Sequence, residues 1–141
     1  MRKTEKLFMV LMAISLLVSA SSCVAEKRAN KGGEEELKER MEITNKKRVT
    51  SKEVERFEEK LQSYFFEIVE TEAISGAIKS LPPGDAMTAV VTASLSKKPV
   101  EQIIELKKAG KTWTEITGSM GIDMKDVVKE VKEFQKMSGC A

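Results

Sequence analysis

The stretch "GDAMTAVVTASLS", residues 84–96, decides between a helical fold and one that contains a sheet. Val90, Val91 and two threonines are β-branched and favour a strand. The alanines between them favour a helix, and the rest of the chain offers no strand with which to pair. Because residues 86–96 carry no charge, we predict a short helix that is buried on most of its surface, with Asp85 as its N-cap.

An amphipathic pattern precedes this segment. Thr50 and Glu53 form a capping-box pattern, and apolar residues then recur every three or four positions up to Leu81. Pro82 and Pro83 cannot continue a helical hydrogen-bond ladder. We therefore predict one long amphipathic helix from Thr50 to Leu81, with an apolar face that widens in its second half.

Three short helices are predicted in the C-terminal third. The first begins near Pro99 and stops at Gly110, since proline suits a first helical turn and glycine suits a helix C-terminus. Thr112 and Glu115 form a second capping box, which opens a very short helix, and Asp123 caps the last helix. The predicted fold class is all-α, with one long amphipathic helix followed by a compact bundle of about four short helices in residues 50–141.

Four residues are predicted to be structural anchors of this bundle. Trp113, the only tryptophan, lies beside a helix start among Ile and Leu residues, so we interpret it as a packing anchor whose ring N–H reaches a carbonyl. Ile116 packs the short helix against the last one, and Gly110 and Gly121 provide the turns.

Residues 1–22 have the layout of a signal peptide. Three basic residues lie at the tip, and an uncharged run of twelve, Leu7–Val18, follows. That run is too short to span a bilayer, which needs about 20 residues. The segment Ala20–Cys23 is similar to a bacterial lipobox, except that Ala20 replaces the usual Leu. Ordinary signal cleavage after Ala20 or Ala25 also fits, so lipidation of Cys23 and a plain secreted or periplasmic protein are both open, and we favour lipidation.

Residues 23–49 are almost all polar, and Leu37, Met41 and Ile43 are the only large apolar residues inside the run. This small apolar surface does not offset the entropy of ordering the chain. We therefore predict a flexible tether, with a transient helix after Gly33. Its acidic cluster, residues 34–36, and its basic cluster, residues 46–48, are interpreted as solvated linker charge.

Residues 115–127 match the spacing of many bacterial helix-turn-helix domains, but the charge does not favour nucleic acid. Three of the 24 basic and one of the 22 acidic residues lie in residues 1–22, so the remaining chain carries 21 of each. The last helix, Asp123–Lys136, is itself balanced, and no arginine follows Arg56. A DNA-binding regulator is therefore the alternative hypothesis.

The chain contains no histidine, which removes the commonest general base and metal ligand and every Ser-His or Cys-His pair. Asp123 and Asp126 are explained first by helix capping, and no zinc, copper or phosphate-loop pattern is visible. Cys140 pairs with Cys23 or another chain, or stays a free thiol. We predict no catalytic residue, no cofactor and no metal, and hence no enzyme.

The segment from Asp85 to Ile122 resembles a helical module of small, uncharacterised exported bacterial proteins. The residues that carry the resemblance are Ile103, Ile104, Glu105, Leu106, Ala109, Gly110, Lys111, Thr112, Trp113, Ile116 and Gly121. The resemblance implies an all-helical extracytoplasmic domain and carries no activity. Sequence therefore predicts a non-catalytic interaction module of the bacterial cell envelope, anchored to a membrane by lipid, with an unidentified envelope protein as its partner and no nucleic acid.

Overall fold

The computed structural model describes residues 32–140, and within this range the chain forms seven helices and no strand. The all-α prediction is confirmed. The signal segment and Cys23 lie outside the described residues. The helices are α1 (residues 32–46), α2 (Ser51–Phe65), α3 (Thr71–Ser80), α4 (Pro83–Ser96), α5 (Val100–Lys108), α6 (Trp113–Ser119) and α7 (Met124–Met137).

Helix α4 lies at the centre and contacts α2, α3, α5 and α7, as its uncharged sequence predicts. Its N-cap is Pro82, with Pro83 in the first turn, so the prediction that Asp85 caps this helix is wrong. Proline is preorganised for the first helical position, which moves the helix start two residues upstream of Asp85. The hydroxyls of Thr88 and Thr92 donate to carbonyls four residues earlier and are thereby satisfied in the core.

Helix α1 packs on this core, so the tether prediction is wrong for residues 32–46. Leu37 and Thr44 are fully buried, and Met41 is nearly so. Asn45 Oδ1 accepts a hydrogen bond of 2.7 Å from the N–H of Gly84, which is one of the orphan donors at the start of α4. A helix with few apolar residues is held here because it covers apolar surface that α4 and α7 contribute. Residues 23–31 lie outside the described residues.

The predicted long helix is instead two helices, α2 and α3, separated by residues 66–70. The N–H groups of Ile68 and Val69 both donate to the carbonyl of Phe65, which closes α2 in a turn. An unbroken helix over residues 50–81 would extend for about 48 Å. The break instead folds α3 back so that it packs on α2, α4 and α5.

Three glycines end helices in the left-handed region. Gly110, Gly121 and Gly139 have φ values of 86°, 71° and 63°. In each case the N–H of the next residue bonds to a carbonyl five positions earlier, which is the Schellman arrangement. These bonds are Lys111 to Leu106 at 3.2 Å, Ile122 to Thr117 at 3.0 Å and Cys140 to Gln135 at 2.8 Å. The predicted stop at Gly110 is confirmed.

The predicted N-terminal caps of three helices are also confirmed. Both capping boxes form, at Thr50 with Glu53 and at Thr112 with Glu115. The side chain of Asp123 accepts a hydrogen bond from the N–H of Lys125. Local sequence therefore fixes where α2, α6 and α7 begin.

Candidate functional site

Trp113 joins three helices. Its side chain is 2% exposed, and its indole N–H donates to Asp85 Oδ1 of α4 over 3.3 Å. The partner is thus a carboxylate, where the sequence predicted a carbonyl. Lys107 of α5 lies 5.1 Å from the centre of the indole ring and 3.8 Å from Asp85 Oδ1. Within this cluster the charges of Asp85 and Lys107 are paired and the indole N–H has a hydrogen-bond acceptor. Such mutual pairing is typical of a structural contact.

The other three predicted anchors occupy different environments. Ile116 is buried in the core, while Gly110 and Gly121 are exposed turn residues with open space around the position of a Cβ. The structure therefore brings together Trp113 and Ile116 on the inward face of α6 and leaves the two glycines at the ends of helices. The positive φ of each glycine accounts for its residue type.

Helices α6 and α7 follow one another across residues 120–123, which is the chain order of a helix-turn-helix. One flank of α7 is occupied by α1, however: Lys132 forms an ion pair with Glu36, and Gln135 Nε2 donates to the carbonyl of Arg40 over 3.2 Å and to Thr44 Oγ1 over 3.0 Å. A recognition helix needs a free face with a basic surplus. The exposed charged side chains of α7 are four lysines and two carboxylates, and one of these lysines is Lys132, which is paired with Glu36.

A concavity of about 440 Å³ lies between the α2–α3 turn and the start of α5. We call it the α5 groove. Ile68, on its wall, remains 55% exposed, and the neighbouring Phe66 in the same turn is 69% exposed. Its lining residues are Ile68, Val69, Glu70, Ala73, Ala93, Lys97, Lys98, Pro99, Val100 and Glu101. The sequence missed this surface because it placed residues 66–70 inside a continuous helix.

A second concavity, of about 170 Å³, lies where the α1–α2 connection meets α2. We call it the basic pocket. Four of its six lining residues are basic, one is acidic and one is aromatic: Lys47, Arg48, Arg56 and Lys60, with Glu53 and Phe57. Sequence reasoning missed it as well, since residues 46–48 were interpreted as linker charge.

Three side chains have pKa values that differ from their usual values, because of local hydrogen bonding, neighbouring charges and burial. Hydrogen bonds from the backbone and side chain of Thr50 hold the pKa of Glu53 below its usual value. The backbone N–H of Thr112 and the charge of Lys111 do the same for the pKa of Glu115. Burial, and then the charge of Glu130, raises the pKa of Tyr64. The two carboxylates serve capping boxes, so their pKa shifts are explained by helix starts.

Two features are absent from residues 32–140. Across residues 32–140, no three His, Cys, Asp or Glu side chains come close enough together to hold a metal ion. In the same range no helix combines the length and apolarity needed to cross a membrane.

Comparisons with protein-family models, with curated proteins and with solved structures found no match to this chain.

Proposed function

We propose that this protein is an exported, non-catalytic interaction module of the bacterial cell envelope, held on a membrane by lipid at Cys23. The observation that carries the proposal is the N-terminal sequence: a basic tip, twelve uncharged residues and a small-residue run that ends in Cys23. Lipid attachment supplies membrane affinity without a spanning helix.

The fold of α1 changes the expected geometry of this anchor. Residues 24–31 separate Cys23 from the start of the described helices. A fully extended chain covers at most about 3.6 Å per residue, so the helical body would stay within about 30 Å of the lipidated residue. The proposed module therefore works close to the membrane surface, rather than at the end of the longer tether that the sequence suggested.

The proposed role as an interaction module is supported by the surface of the body. Phe66 and Ile68 remain largely exposed at or beside the α5 groove, and large exposed apolar side chains in one turn are typical of contact surfaces. The proposed partner is a protein of the same envelope.

Labelling with radioactive palmitate tests the lipid anchor. Cells that express the full chain should incorporate label into the protein, and the Cys23→Ala variant should not. A Cys140→Ala variant is the matched control, because it removes the other cysteine of the chain. Equal labelling of the chain and of the Cys23→Ala variant would exclude lipidation at Cys23.

A second candidate function is a DNA-binding regulator, and the observation that favours it is the succession of α6 and α7 across a short connection at residues 120–123. Fusion of alkaline phosphatase to the C-terminus separates the two proposals. Phosphatase activity in intact cells supports export, whereas an inactive fusion that accumulates in the cytosol supports the regulator.

A further inference from the structure

The basic pocket gathers positive charge from two adjoining elements. Lys47 and Arg48 belong to the connection after α1, and Arg56 and Lys60 lie one turn apart on α2. Residues four apart on a helix share a face, so Arg56 and Lys60 point to the same side. The fold of α1 onto the core brings the connection against that side.

Two of these cations are held in position by neighbouring groups. The Arg48 guanidinium lies 5.1 Å from the centre of the Phe57 ring, and Lys60 Nζ donates to the carbonyl of Ser138 over 2.6 Å. No carboxylate within residues 32–140 forms an ion pair with Arg48, Arg56 or Lys60. The charge of Glu53 interacts with that of Arg48, and the four basic residues of the pocket still leave a net positive charge there.

The only acidic residue of the pocket is already engaged elsewhere. Glu53 Oε2 accepts hydrogen bonds from the N–H of Val49 at 3.2 Å and from the N–H and hydroxyl of Thr50, both at 2.9 Å. This carboxylate closes the capping box at the start of α2. Its charge lowers the local positive potential in part, but its oxygen is directed at the backbone.

We propose that the basic pocket binds a compact oxyanion of the phosphate class. Arginine presents a planar set of N–H donors that suits phosphate oxygens, and two arginines and two lysines surround this one cavity. Lys60 also lines a neighbouring cavity of about 420 Å³ with Tyr64 and Met137 on its wall, so an anion with an organic substituent can be accommodated.

The charge of the whole body argues against an extended polyanion at this site. Six of the 24 basic and two of the 22 acidic residues precede residue 32, so the rest of the chain holds 18 basic and 20 acidic residues. A body that is slightly acidic overall does not attract an extended polyanion through its net charge, so the expected ligand is small. The inference goes beyond the proposed function and holds wherever the protein resides in the cell.

Calorimetric titration of the full chain carrying Cys23→Ala tests this proposal with two probes. The first probe is inorganic phosphate, and the second is short-chain phosphatidylglycerol below its micelle concentration. Saturable binding of phosphate alone identifies a free phosphate or monoester as the source. Binding of the phosphatidylglycerol at least as tightly identifies a lipid headgroup.

The pocket variant for this titration is Arg48→Gln with Arg56→Gln. It should weaken binding about tenfold or more, since each charge-assisted hydrogen bond lost from an anion has an effect of that order. The matched control is Lys97→Gln with Lys98→Gln, which removes the same charge from the α5 groove and should bind as the parent does. If the double pocket variant does not fold, Arg56→Gln alone serves, because Arg56 is exposed.

Two results would overturn the proposal. One is the absence of saturable binding of either probe by the parent chain. The other is an equal loss of binding in the pocket variant and in the lysine control, since that pattern reports only the net charge of the protein.

Discussion

Substitution of Gly84 by alanine should destabilise the protein, although alanine is the better helix former. A Cβ added at Gly84 would lie 2.6 Å from the carbonyl oxygen and 2.8 Å from the Cα of Met41. Both are backbone atoms, so no rotation of the Met41 side chain relieves the overlap. Helix α1 must retreat from α4, and the hydrogen bond from the Gly84 N–H to Asn45 must lengthen.

The size of the effect follows from three contributions. Overpacking of this kind costs about 1–3 kcal/mol. Loss of the hydrogen bond to Asn45 adds about 1 kcal/mol. The higher helix propensity of alanine offsets at most about 1 kcal/mol of this. We therefore expect Gly84→Ala to lower the free energy of unfolding by about 1–3 kcal/mol.

Gly76→Ala is the matched control in α3. No atom lies within 4 Å of a Cβ added there, so only helix propensity acts, and the free energy of unfolding should rise by about 0.5–1 kcal/mol. Urea denaturation followed by far-ultraviolet circular dichroism measures both variants. A stabilising shift of the urea midpoint in both would refute the reasoning, because it would mean that α1 does not press on α4.

Three other sites give separate tests. Leu37→Ala should lower the free energy of unfolding by about 2–5 kcal/mol in urea denaturation, because Leu37 is fully buried in the core. Thr112→Ala should lower it by about 0.5–2 kcal/mol in the same assay, because the capping box of α6 is lost. Tyr64, the only tyrosine, should titrate in ultraviolet absorbance with a pKa above 10.0, and Glu130→Gln should lower that pKa, because the charge of Glu130 disfavours the phenolate.

Each of these tests has a control. Val49 is exposed, so Val49→Ala should leave the urea midpoint nearly unchanged, and equal losses for Leu37→Ala and Val49→Ala would contradict the packing of α1. Thr112→Ser keeps a hydroxyl at the N-cap, and a loss as large as that of Thr112→Ala would mean that the cap is not responsible. A Tyr64 pKa that does not respond to Glu130→Gln would contradict their contact.

The raised pKa of Tyr64 also predicts a pH dependence of stability. Folding favours the protonated phenol, so the stability that Tyr64 contributes is fully present below pH 10.0, the ordinary pKa, and is lost as the pH rises through the higher folded-state pKa. The difference in urea midpoint between the parent chain and Tyr64→Phe should therefore change only in the alkaline range. A constant difference from neutral to alkaline pH would contradict this sign.

Local signals in the sequence predicted the helix ends well. Thr50, Thr112, Asp123 and Gly110 each act through a hydrogen bond to a residue at most five positions away, and all four have the predicted role. The uncharged run of residues 86–96 was enough to place α4 in the interior. Short-range chemistry of this kind is readable because it does not depend on which helices become neighbours.

One error is local, since Pro83 moves the start of α4 upstream of the predicted cap Asp85. The other errors concern segments whose structure depends on distant partners. The break after Phe65 has no side-chain cap at Glu70 to mark the start of α3, and the apolar pattern continues across it. The sequence of helix α1 is too polar to indicate that the helix is buried, since the apolar surface it covers belongs to α4 and α7. The basic pocket was missed for the same reason. The sequence shows that Arg56 and Lys60 share a face of α2, but it does not show that the packing of α1 brings Arg48 against that face.

The burial of α4 on nearly every side has a consequence for how the domain opens. Its amides are shielded by helices from both ends of the described chain, since α1 contributes Asn45 at its start and α7 packs along it. No single neighbouring helix can detach without exposing the uncharged side chains of α4 to water. Hydrogen exchange at α4 should thus proceed only through complete unfolding, and the seven helices should behave as one cooperative unit instead of a stable centre with optional additions.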